Sequence, residues 1–378
     1  MEILFGTQAL EPRAYLVTVS EQLERLGHEV RVFAAEPALS PEELRVVGVE
    51  RDLPLAPDVI YSQDADAALL LADLYPLTPQ VFAAHGDGED VWLPPQLAGV
   101  VARVIAFDDR TVERVRAAAL PHEVVRLRRP VDLDRFSPRG PLPERPRRAS
   151  LHLDGLSDYR RGLVQRACAA AGIETEERAE IAIGRGRAVV EAMASGIAAY
   201  VYGEDGGDGW VTPDRYALLE ADGFSGRVEA TATDFERFRT DLEAYDAAMG
   251  PANRDLAGAH DARRHAQELI GVVDEVKPRR EPVAAPLREM ARLVRVESAT
   301  ARRAAANADD ACAAQTRANE LTRRLAEAED RIAALEARVA EAEDENAARA
   351  RQEGGAAPKT RGMRGLLGRE GKIPSIEG

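Results

Sequence analysis

The sequence predicts an α/β protein with two parallel-sheet domains facing a cleft, followed by a long coiled-coil helix. Three observations carry this prediction: short apolar runs alternate with helical patterns, a proline-rich stretch interrupts them, and a heptad pattern fills the C-terminal part. Strands that alternate with helices are typical of parallel sheets covered by helices. The expected organisation is a first domain at 1–148, a second at 149–276, a linker at 277–286, the coiled coil at 287–353 and a basic, disordered tail at 354–378.

Six apolar runs of the first domain are predicted as strands, at 2–6, 29–35, 58–62, 80–86, 103–108 and 123–130. Between the first two, Leu16, Val19, Leu23 and Leu26 recur at spacings of three and four, which predicts one apolar helix face ending at Gly27. In proteins that begin with a strand, a helix and a strand in this order, ligands bind in the crevice beyond the carboxyl ends of the parallel strands.

Residues 130–148 contain five prolines and a run of arginines, which mark a linker between the two domains. Its opening, PVDLDRF, is expected to be ordered through Val131 and Phe136. The second domain is expected to have strands at 149–155, 179–184 and 197–203 and helices at 159–171, 186–195, 214–223, 233–249 and 260–276.

The most informative stretch is 184–212, a predicted loop, helix, strand and loop. Gly184 and Gly186 allow backbone N–H groups to approach phosphate oxygens, while Arg185 and Arg187 add positive charge. Glu191, on the short helix, can accept hydrogen bonds from sugar hydroxyls. A second glycine loop, with Gly206 and Gly207, follows the strand. This unit predicts a site for a phosphorylated, hydroxyl-rich ligand.

His85 follows the fourth predicted strand and opens the turn HGDGED. An imidazole here can bond a sugar or phosphate; equally, loop backbone can satisfy it. The three acidic residues of the turn match no established metal-binding loop, so a solvated turn is expected there and no metal site is assigned.

From Met290 to Asn346, a seam of positions alternates spacings of three and four without a break, with Arg and Glu on its flanks. Such heptads indicate a coiled coil, and the apolar part at 321–339 is expected to associate most strongly. The predicted partner is a second copy or another helix, and a single solvated helix is the alternative.

Composition narrows the function classes. Among 378 residues the net charge is −15, which argues against a general nucleic-acid binder. The two cysteines supply neither a disulfide framework nor metal-ligand spacing, which favours a reducing compartment. The N-terminus lacks signal-peptide character, and no run approaches the roughly 20 apolar residues of a membrane span. We therefore expect a cytoplasmic protein whose membrane contact, if any, is peripheral.

Three motifs together resemble the GT-B glycosyltransferases, most closely the family-four retaining enzymes. RLGHEVRVF resembles their first "GHEV" strand, PVDLDRF their hinge signature with Pro130 replacing glycine, and IGRGRAVVEAMASG their donor-site motif. The resemblance spans residues 1–276 and implies two Rossmann-like domains that bind a nucleotide-diphosphate sugar as co-substrate and an unidentified acceptor. No metal or further cofactor is implied.

Carried over by position, the resemblance implies a role for individual residues. Glu191 would accept hydrogen bonds from the ribose of the nucleotide, and Gly206 and Gly207 match the glycine loop near the donor sugar. The expected catalytic residues are His85, which matches the histidine contacting that sugar, and Arg161, which replaces the lysine that neutralises the diphosphate.

Two departures leave the function open. Ile183 stands where the family has a glutamate near the donor sugar, and Leu156 replaces the arginine that meets the diphosphate. Arg185 and Arg187 are available to supply that charge. The sequence favours a compact glycosyltransferase; the alternative is a non-catalytic relic that binds a nucleotide sugar, or acts as a scaffold through its coil.

Overall fold

The computed structural model describes residues 1–7, 13–34, 46–47, 52–85, 93–97, 99–118, 122–138, 140–229, 234–279 and 286–353. Residues 1–302 form one compact unit, and the described residues from 303 onward belong to a second. The predicted tail at 354–378 lies outside the described residues.

A seven-stranded parallel sheet forms the first layer. Its strands are β1 (Glu2–Thr7), β2 (Glu29–Ala34), β3 (Val46–Val47), β4 (Val59–Ser62), β5 (Gln80–Ala84), β6 (Arg103–Ala106) and β7 (Glu123–Arg126). They lie in the order β3-β2-β1-β4-β5-β6-β7. The six predicted strands are confirmed, with β3 added at the edge. The chain moves outward from β1 to β3 and then returns to β4 on the other side of β1, so a ligand crevice is expected between β1 and β4.

Helices cover this sheet as its apolar periodicity predicts. They are α1 (Arg13–Arg25), α2 (Ala65–Leu74) and α3 (Asp109–Ala117). Leu16, Val19 and Leu23 of α1 are fully buried. Gly27 follows α1 with φ +86°, a left-handed conformation that suits glycine after a helix.

A five-stranded sheet forms the second layer, with β8 (Arg148–His152), β9 (Glu174–Thr175), β10 (Ile181–Gly184), β11 (Ala198–Gly203) and β12 (Gly206–Trp210). The order is β12-β11-β10-β8-β9, and only β12 is antiparallel to its neighbour. Its helices are α4 (Asp158–Ala170), α5 (Arg187–Ala194), α6 (Tyr216–Ala221), α7 (Phe235–Glu243) and α8 (Met249–Ala257). Both layers together give a mixed α/β fold with two sheets that are mainly parallel.

The single helix predicted at 233–249 is wrong. The chain forms α7 and then a separate helix α8, which continues past Gly250 and Pro251. Proline is tolerated here because Pro251 is the third residue of α8, where its missing N–H would have no partner within the helix.

Two segments join the layers. The predicted PVDLDRF segment is ordered: the N–H of Val131 donates to His260 O at 2.8 Å, and Ala262 donates to Val131 O at 3.0 Å. Helix α9 (Ala262–Asp274) follows. It lies within the residues expected to complete the second domain, yet its buried Leu269 and Val273 belong to the apolar cluster of the first sheet.

Helix α10 (Pro286–Glu353) begins against the first sheet. Leu287, Ala291 and Val294 are buried, and Leu287 and Val294 share an apolar cluster with Phe82. Leu293, a predicted seam residue, is 53% exposed. The face that packs on the sheet in these first turns is therefore not centred on Leu293, and the seam stays a prediction. No helix among the described residues is both long and apolar enough to cross a membrane.

Candidate functional site

Polar and aromatic side chains follow the strands of the first sheet at their carboxyl ends. Gln63 follows β4, His85 follows β5 and Phe107 follows β6. Because side chains alternate along a strand, these three share the sheet face of Tyr61 and Ile105, which belong to the apolar cluster beneath α1 and α9. This edge is where parallel α/β sheets bind ligands.

His85 lies between two aromatic rings, with centroid distances of 4.8 Å to both Tyr15 and Phe107. Its ring nitrogens are shielded from solvent and have no hydrogen-bond partner within the described part of the chain. Burial, reinforced by the charge of Arg129, lowers the pKa of His85 well below its usual value. The ring is therefore neutral near pH 7 and can both donate to and accept from a hydroxyl. Residues 86–90 lie outside the described residues, so both interpretations of His85 stay predictions.

Gln63 is a second buried polar group at this edge. It is fully buried, and neither its amide oxygen nor its amide nitrogen has a partner among the residues that the structure describes. Most buried polar side chains in proteins are hydrogen-bonded. A buried amide without a protein partner fits a position that meets a ligand or water.

Arg129, shortly after β7, brings a cation to the same edge. Its guanidinium carbon lies 5.4 Å from the centroid of the Phe107 ring, and its Nη2 lies 3.8 Å from Asp108 Oδ2. Burial lowers the pKa of Arg129, yet arginine keeps its proton at neutral pH. The distance to Asp108 is longer than a direct hydrogen bond, so Arg129 retains capacity to bind an anion.

Arg187, at the start of α5, brings a second cation from the other layer. Its Nε donates to Glu191 Oε1 at 2.6 Å, and its Nη2 donates to Thr18 Oγ1 of α1 at 3.1 Å. Its Nη1 is buried and has no partner in the described part of the chain. Arg187 therefore links the two layers while keeping one N–H donor for a ligand. If Glu191 binds a sugar hydroxyl as expected, its carboxylate does so while also accepting from Arg187.

The entry to α5 requires glycine. Gly186 has φ 58° and ψ −123°, and no side chain caps the helix. A Cβ on Gly184 would lie 2.8 Å from His152 Cβ, so β10 and β8 approach closely only because Gly184 has none. The N–H of Gly186 donates to the carbonyl of Phe224 at 2.8 Å. The first turn thus opens without a capping side chain, an arrangement that suits an anion.

Phe224 lies outside helices and strands and has φ 56°, the one positive φ among the described non-glycine residues. A bulky residue in this left-handed region is strained. Its ring is 2% exposed, and its carbonyl accepts from Gly186. Packing of the ring therefore holds the strained backbone that orients the glycine before α5.

The other two predicted arginines lie farther out. Arg185 is exposed, and its Nη2 lies 3.5 Å from the carbonyl oxygen of Asp154. Arg161 is on the exposed side of α4, where its ion pair is with Asp158 of the same helix. The structure therefore brings Gly184, Gly186, Arg187 and Glu191 into one unit and leaves Arg161 in a separate, solvent-facing position.

The predicted glycine loop with Gly206 and Gly207 is wrong in its local structure. These residues begin β12, paired with β11 in the register Gly203 to Gly206, and both are buried. A Cβ on Gly203 would lie 2.2 Å from Ser225 O, which shows how closely the backbones pack. Glycine at 203 is needed for this contact, since a larger residue would push away the backbone at Ser225.

Charged side chains also connect the layers along α6. Glu220 accepts from Arg126 at 2.7 Å, and Asp222 lies 3.3 Å from Arg110 Nη1. The Glu220 side chain is 8% exposed, whereas that of Arg110 is 42% exposed. A Cβ added to Gly223, which follows Asp222, would lie 2.8 Å from Asp108 Oδ2. Since Asp108 follows Phe107 at the sheet edge, these contacts lie beside the crevice.

Two buried histidines hold the segment that joins the layers. Nδ1 of His260 lies 2.8 Å from Arg129 O, and Nδ1 of His265 lies 2.8 Å from Arg128 O. A carbonyl only accepts, so each Nδ1 donates. Burial lowers the pKa of both histidines to about 4. Each neutral Nε2 is then an acceptor.

Tyrosine hydroxyls serve those two acceptors. The Tyr216 hydroxyl donates to His260 at 3.0 Å, and the Tyr15 hydroxyl donates to His265 at 3.2 Å. Tyr15 in turn accepts from Tyr61 at 2.5 Å. This chain of bonds positions Tyr15, the ring that borders His85, and it fixes the backbone from which Arg129 projects.

The arrangement offers two cations, an uncapped helix and neutral hydrogen-bonding groups around one crevice. Its chemical capacity is to bind an anion next to a polar, uncharged group. Sequence reasoning missed Arg129, Thr18 and the buried histidines; the two consecutive arginines that follow β7 were the available signal for Arg129. Within the described ranges, no three His, Cys, Asp or Glu side chains cluster as metal ligands do.

No protein-family model and no curated protein sequence matches the chain. Solved structures do show similarity. Anabaena HepE in complex with UDP is 12% identical, with 72% of this chain and 100% of that chain covered and a TM-score of 0.47. A glycosyltransferase from Rickettsia africae ESF-5 is 12% identical, with coverages of 72% and 98% and a TM-score of 0.47.

Sucrose-phosphate synthase from Thermosynechococcus elongatus is 13% identical, with 72% of this chain and 98% of that chain covered and a TM-score of 0.47. At identities this low the similarity concerns the fold alone, and no residue of this chain is matched to a residue of those proteins.

Proposed function

We propose that this chain is a glycosyltransferase that moves a sugar from a nucleotide-diphosphate donor to an acceptor, with the crevice between the two sheets as its site. The observation that carries the proposal is the uncapped start of α5 beside Arg187, whose buried Nη1 has no partner among the described residues. Loss of a diphosphate leaving group develops negative charge, and fixed donors at that position stabilise it.

The proposed roles follow from position. Backbone N–H groups after Gly184 and Gly186, with Arg187, bind the diphosphate, and Arg129 adds charge from the first layer. The carboxylate oxygen of Glu191 that Arg187 does not bond accepts from a ribose hydroxyl. His85, held neutral by burial, bonds a hydroxyl of the transferred sugar. Arg185 and Arg161 contribute only long-range positive potential, since both are exposed.

A second candidate is a protein that binds a nucleotide sugar without transferring it. Ile183 is fully buried and Leu156 is 4% exposed, and both belong to the apolar cluster of the second sheet. The two positions where the resembling family has a glutamate and an arginine therefore serve the core. If His85 and Arg187 do not replace them, binding survives without catalysis.

Thermal unfolding with UDP-, GDP-, ADP- and TDP-sugars tests both candidates, followed by a hydrolysis assay of any ligand that stabilises the protein. The glycosyltransferase proposal predicts stabilisation and slow hydrolysis. Stabilisation without hydrolysis or transfer supports the binding protein. If none of the nucleotide sugars stabilises the fold, both candidates fail.

Arg187→Ala and Arg185→Ala form a matched pair for the same assay. Both remove one arginine from the same loop, but only Arg187 has a buried donor without a partner in the described chain. Arg187→Ala is expected to weaken nucleotide-sugar binding about 10- to 100-fold, the value of a charge-assisted hydrogen bond. Arg185→Ala is expected to change it less than threefold. Equal effects would contradict the assignment of Arg187.

The finer proposal is a retaining enzyme similar to family four. It is supported by the sequence motifs around Glu191 and at PVDLDRF. The anomeric configuration of the first-formed product, read by proton NMR, tests it: retention supports the proposal, and inversion contradicts it.

We also propose that the chain associates with a second helix through α10.

A further inference from the structure

Helix α10 carries an exposed apolar stripe. Leu325 is 61% exposed, and Ile332 and Leu335 are each 55% exposed. Their spacings of seven and three place them at the a, a and d positions of a heptad. Large apolar side chains repeated along one line of a helix are typical of a surface that another helix covers.

The charges beside this stripe follow a strict order in the sequence. With Leu325 at position a, each g position of three successive heptads is arginine and each following e position is glutamate. The arginines are Arg324, Arg331 and Arg338, and the glutamates are Glu329, Glu336 and Glu343.

This order distinguishes the possible orientations of two copies. In a parallel pair in register, a g residue lies next to the e residue five positions later in the other helix. Arg331 then meets Glu336 of the second copy, and the same holds for the other two pairs. In an antiparallel pair g meets g and e meets e, which would set arginine against arginine and glutamate against glutamate.

The apolar positions favour two strands. The a positions are Leu325, Ile332 and Val339, and the d position between the last two is Leu335. β-Branched residues at a with leucine at d favour two-stranded parallel coils over larger bundles. We propose that residues 321–343 bind a second copy of this chain as a parallel, in-register, two-stranded coiled coil. The segment is complementary to itself, so no other partner is required.

Cysteine cross-linking of the full chain tests orientation and register. In a Cys312→Ser background, Ala328→Cys places a thiol at d, where two copies in register have Cα atoms about 6 Å apart, within disulfide range. Ala326→Cys, at the outward b position, is the matched control. Oxidation is expected to give a covalent dimer for Ala328→Cys and none for Ala326→Cys. No dimer, or equal yields at both sites, would overturn the proposal.

Charge reversal supplies an independent test, with the dimer dissociation constant measured by analytical ultracentrifugation. Arg331→Glu sets like charges across a parallel pair and is expected to weaken the dimer about tenfold. Adding Glu336→Arg restores opposite charges and is expected to restore affinity. A full chain that is monomeric at 50 μM, as a rough concentration bound for such coils, overturns the proposal, as does a dimer that Arg331→Glu tightens.

Arg323→Glu is the control for helix propensity. Arg323 lies at the outward f position, and its ion pairs are with Glu320 and Glu327 of its own helix. Its reversal should leave dimer affinity unchanged, and a loss equal to that of Arg331→Glu would contradict interhelical pairing. Nucleotide-sugar binding, measured on the same samples, should not change, so failure of the coil and failure of the proposed function are separate results.

Discussion

Two sets of contacts join the sheet layers, and they differ in chemistry. The hinge contacts are the hydrogen bonds of His260, His265 and Arg254 to backbone carbonyls of the segment between the sheets. The crevice contacts are the side-chain pairs of Arg187 with Thr18, Arg126 with Glu220, and Arg110 with Asp222. The hinge set pairs buried histidines and Arg254 with backbone acceptors, whereas the crevice set pairs side chains with one another, and its arginines are partly exposed.

This difference in chemistry predicts how the hinge contacts and the crevice contacts respond to salt and to pH. Hydrogen bonds from buried neutral histidines are insensitive to salt. A second proton on Nε2, however, removes the acceptor of each tyrosine hydroxyl and places a charge in a buried site, which weakens the hinge. Partly exposed ion pairs weaken as salt screens them. The hinge is thus expected to stay fixed while the crevice side adjusts, which is what admission of a ligand between the layers requires.

Arg254→Ala is expected to have the largest effect on the hinge. Its guanidinium donates to the carbonyls of Leu133, Phe136 and Ala194 at 3.1, 2.7 and 2.5 Å. Removing it leaves these acceptors without a protein partner and should lower the free energy of unfolding by about 3 kcal/mol. Urea denaturation measures this.

Arg264→Ala is the control for that substitution. Arg264 forms an exposed pair with Glu268 within α9, so its loss should cost less than about 0.5 kcal/mol. If the two alanine variants unfold at the same urea concentration, Arg254 does not stabilise the hinge as proposed.

Acidification is expected to weaken the hinge next. Burial lowers the pKa of His260 and His265 to about 4 in the folded protein, below the value of about 6.5 expected when unfolded. The unfolded state therefore binds more protons, and stability that is present above pH 6.5 is lost as the pH falls toward 4. At pH 5 each histidine should account for about 2 kcal/mol of lost stability.

His265→Gln separates this contribution from those of the other titrating groups. The variant is less stable at pH 7, but its free energy of unfolding should fall less steeply between pH 7 and pH 5 than that of the unaltered chain. Identical slopes would show that His265 is not the group being protonated.

Local pattern was enough to predict the parallel strands and α1, because apolar periodicity reports burial directly. It also located Gly186, whose φ of 58° only glycine adopts readily, and the short helix with Glu191. Local pattern failed for β12, since the stretch GGDGW has little strand propensity and forms a strand by pairing with β11, whose Gly203 packs closely against Ser225.

The missed site residues depend on partners that are distant in sequence. His260 and His265 bond carbonyls 131 and 137 residues away, and Arg187 bonds Thr18 across 169 residues. No local period marks such residues. Arg161 shows the reverse situation: its motif position suggests a catalytic role, which stays a prediction, while the ion pair it forms is a local one with Asp158, three residues earlier.

Glu220→Gln tests the crevice contacts and should have a smaller effect than the hinge substitutions. The Glu220 side chain is 8% exposed and pairs with Arg126, whose side chain is 25% exposed. Loss of the charge is expected to cost about 1 kcal/mol at low salt and less at 1 M NaCl. A double-mutant cycle with Arg126→Gln isolates the pair. A coupling energy that does not fall with salt would place this contact with the hinge set.

Thr18→Val should have the smallest effect on stability and separates the two roles of Arg187. The substitution keeps the shape of the side chain but removes the hydroxyl that accepts from Arg187 Nη2, at an expected cost of about 0.5–1 kcal/mol in urea denaturation. Thr18→Ser keeps the hydroxyl and should restore most of that stability. Because Nη1, the proposed ligand donor, is not used by Thr18, nucleotide-sugar affinity should fall far less than in Arg187→Ala. If Thr18→Val and Arg187→Ala lose nucleotide-sugar affinity equally, Arg187 acts on the ligand only through its link to α1, and the crevice contacts are part of the site itself.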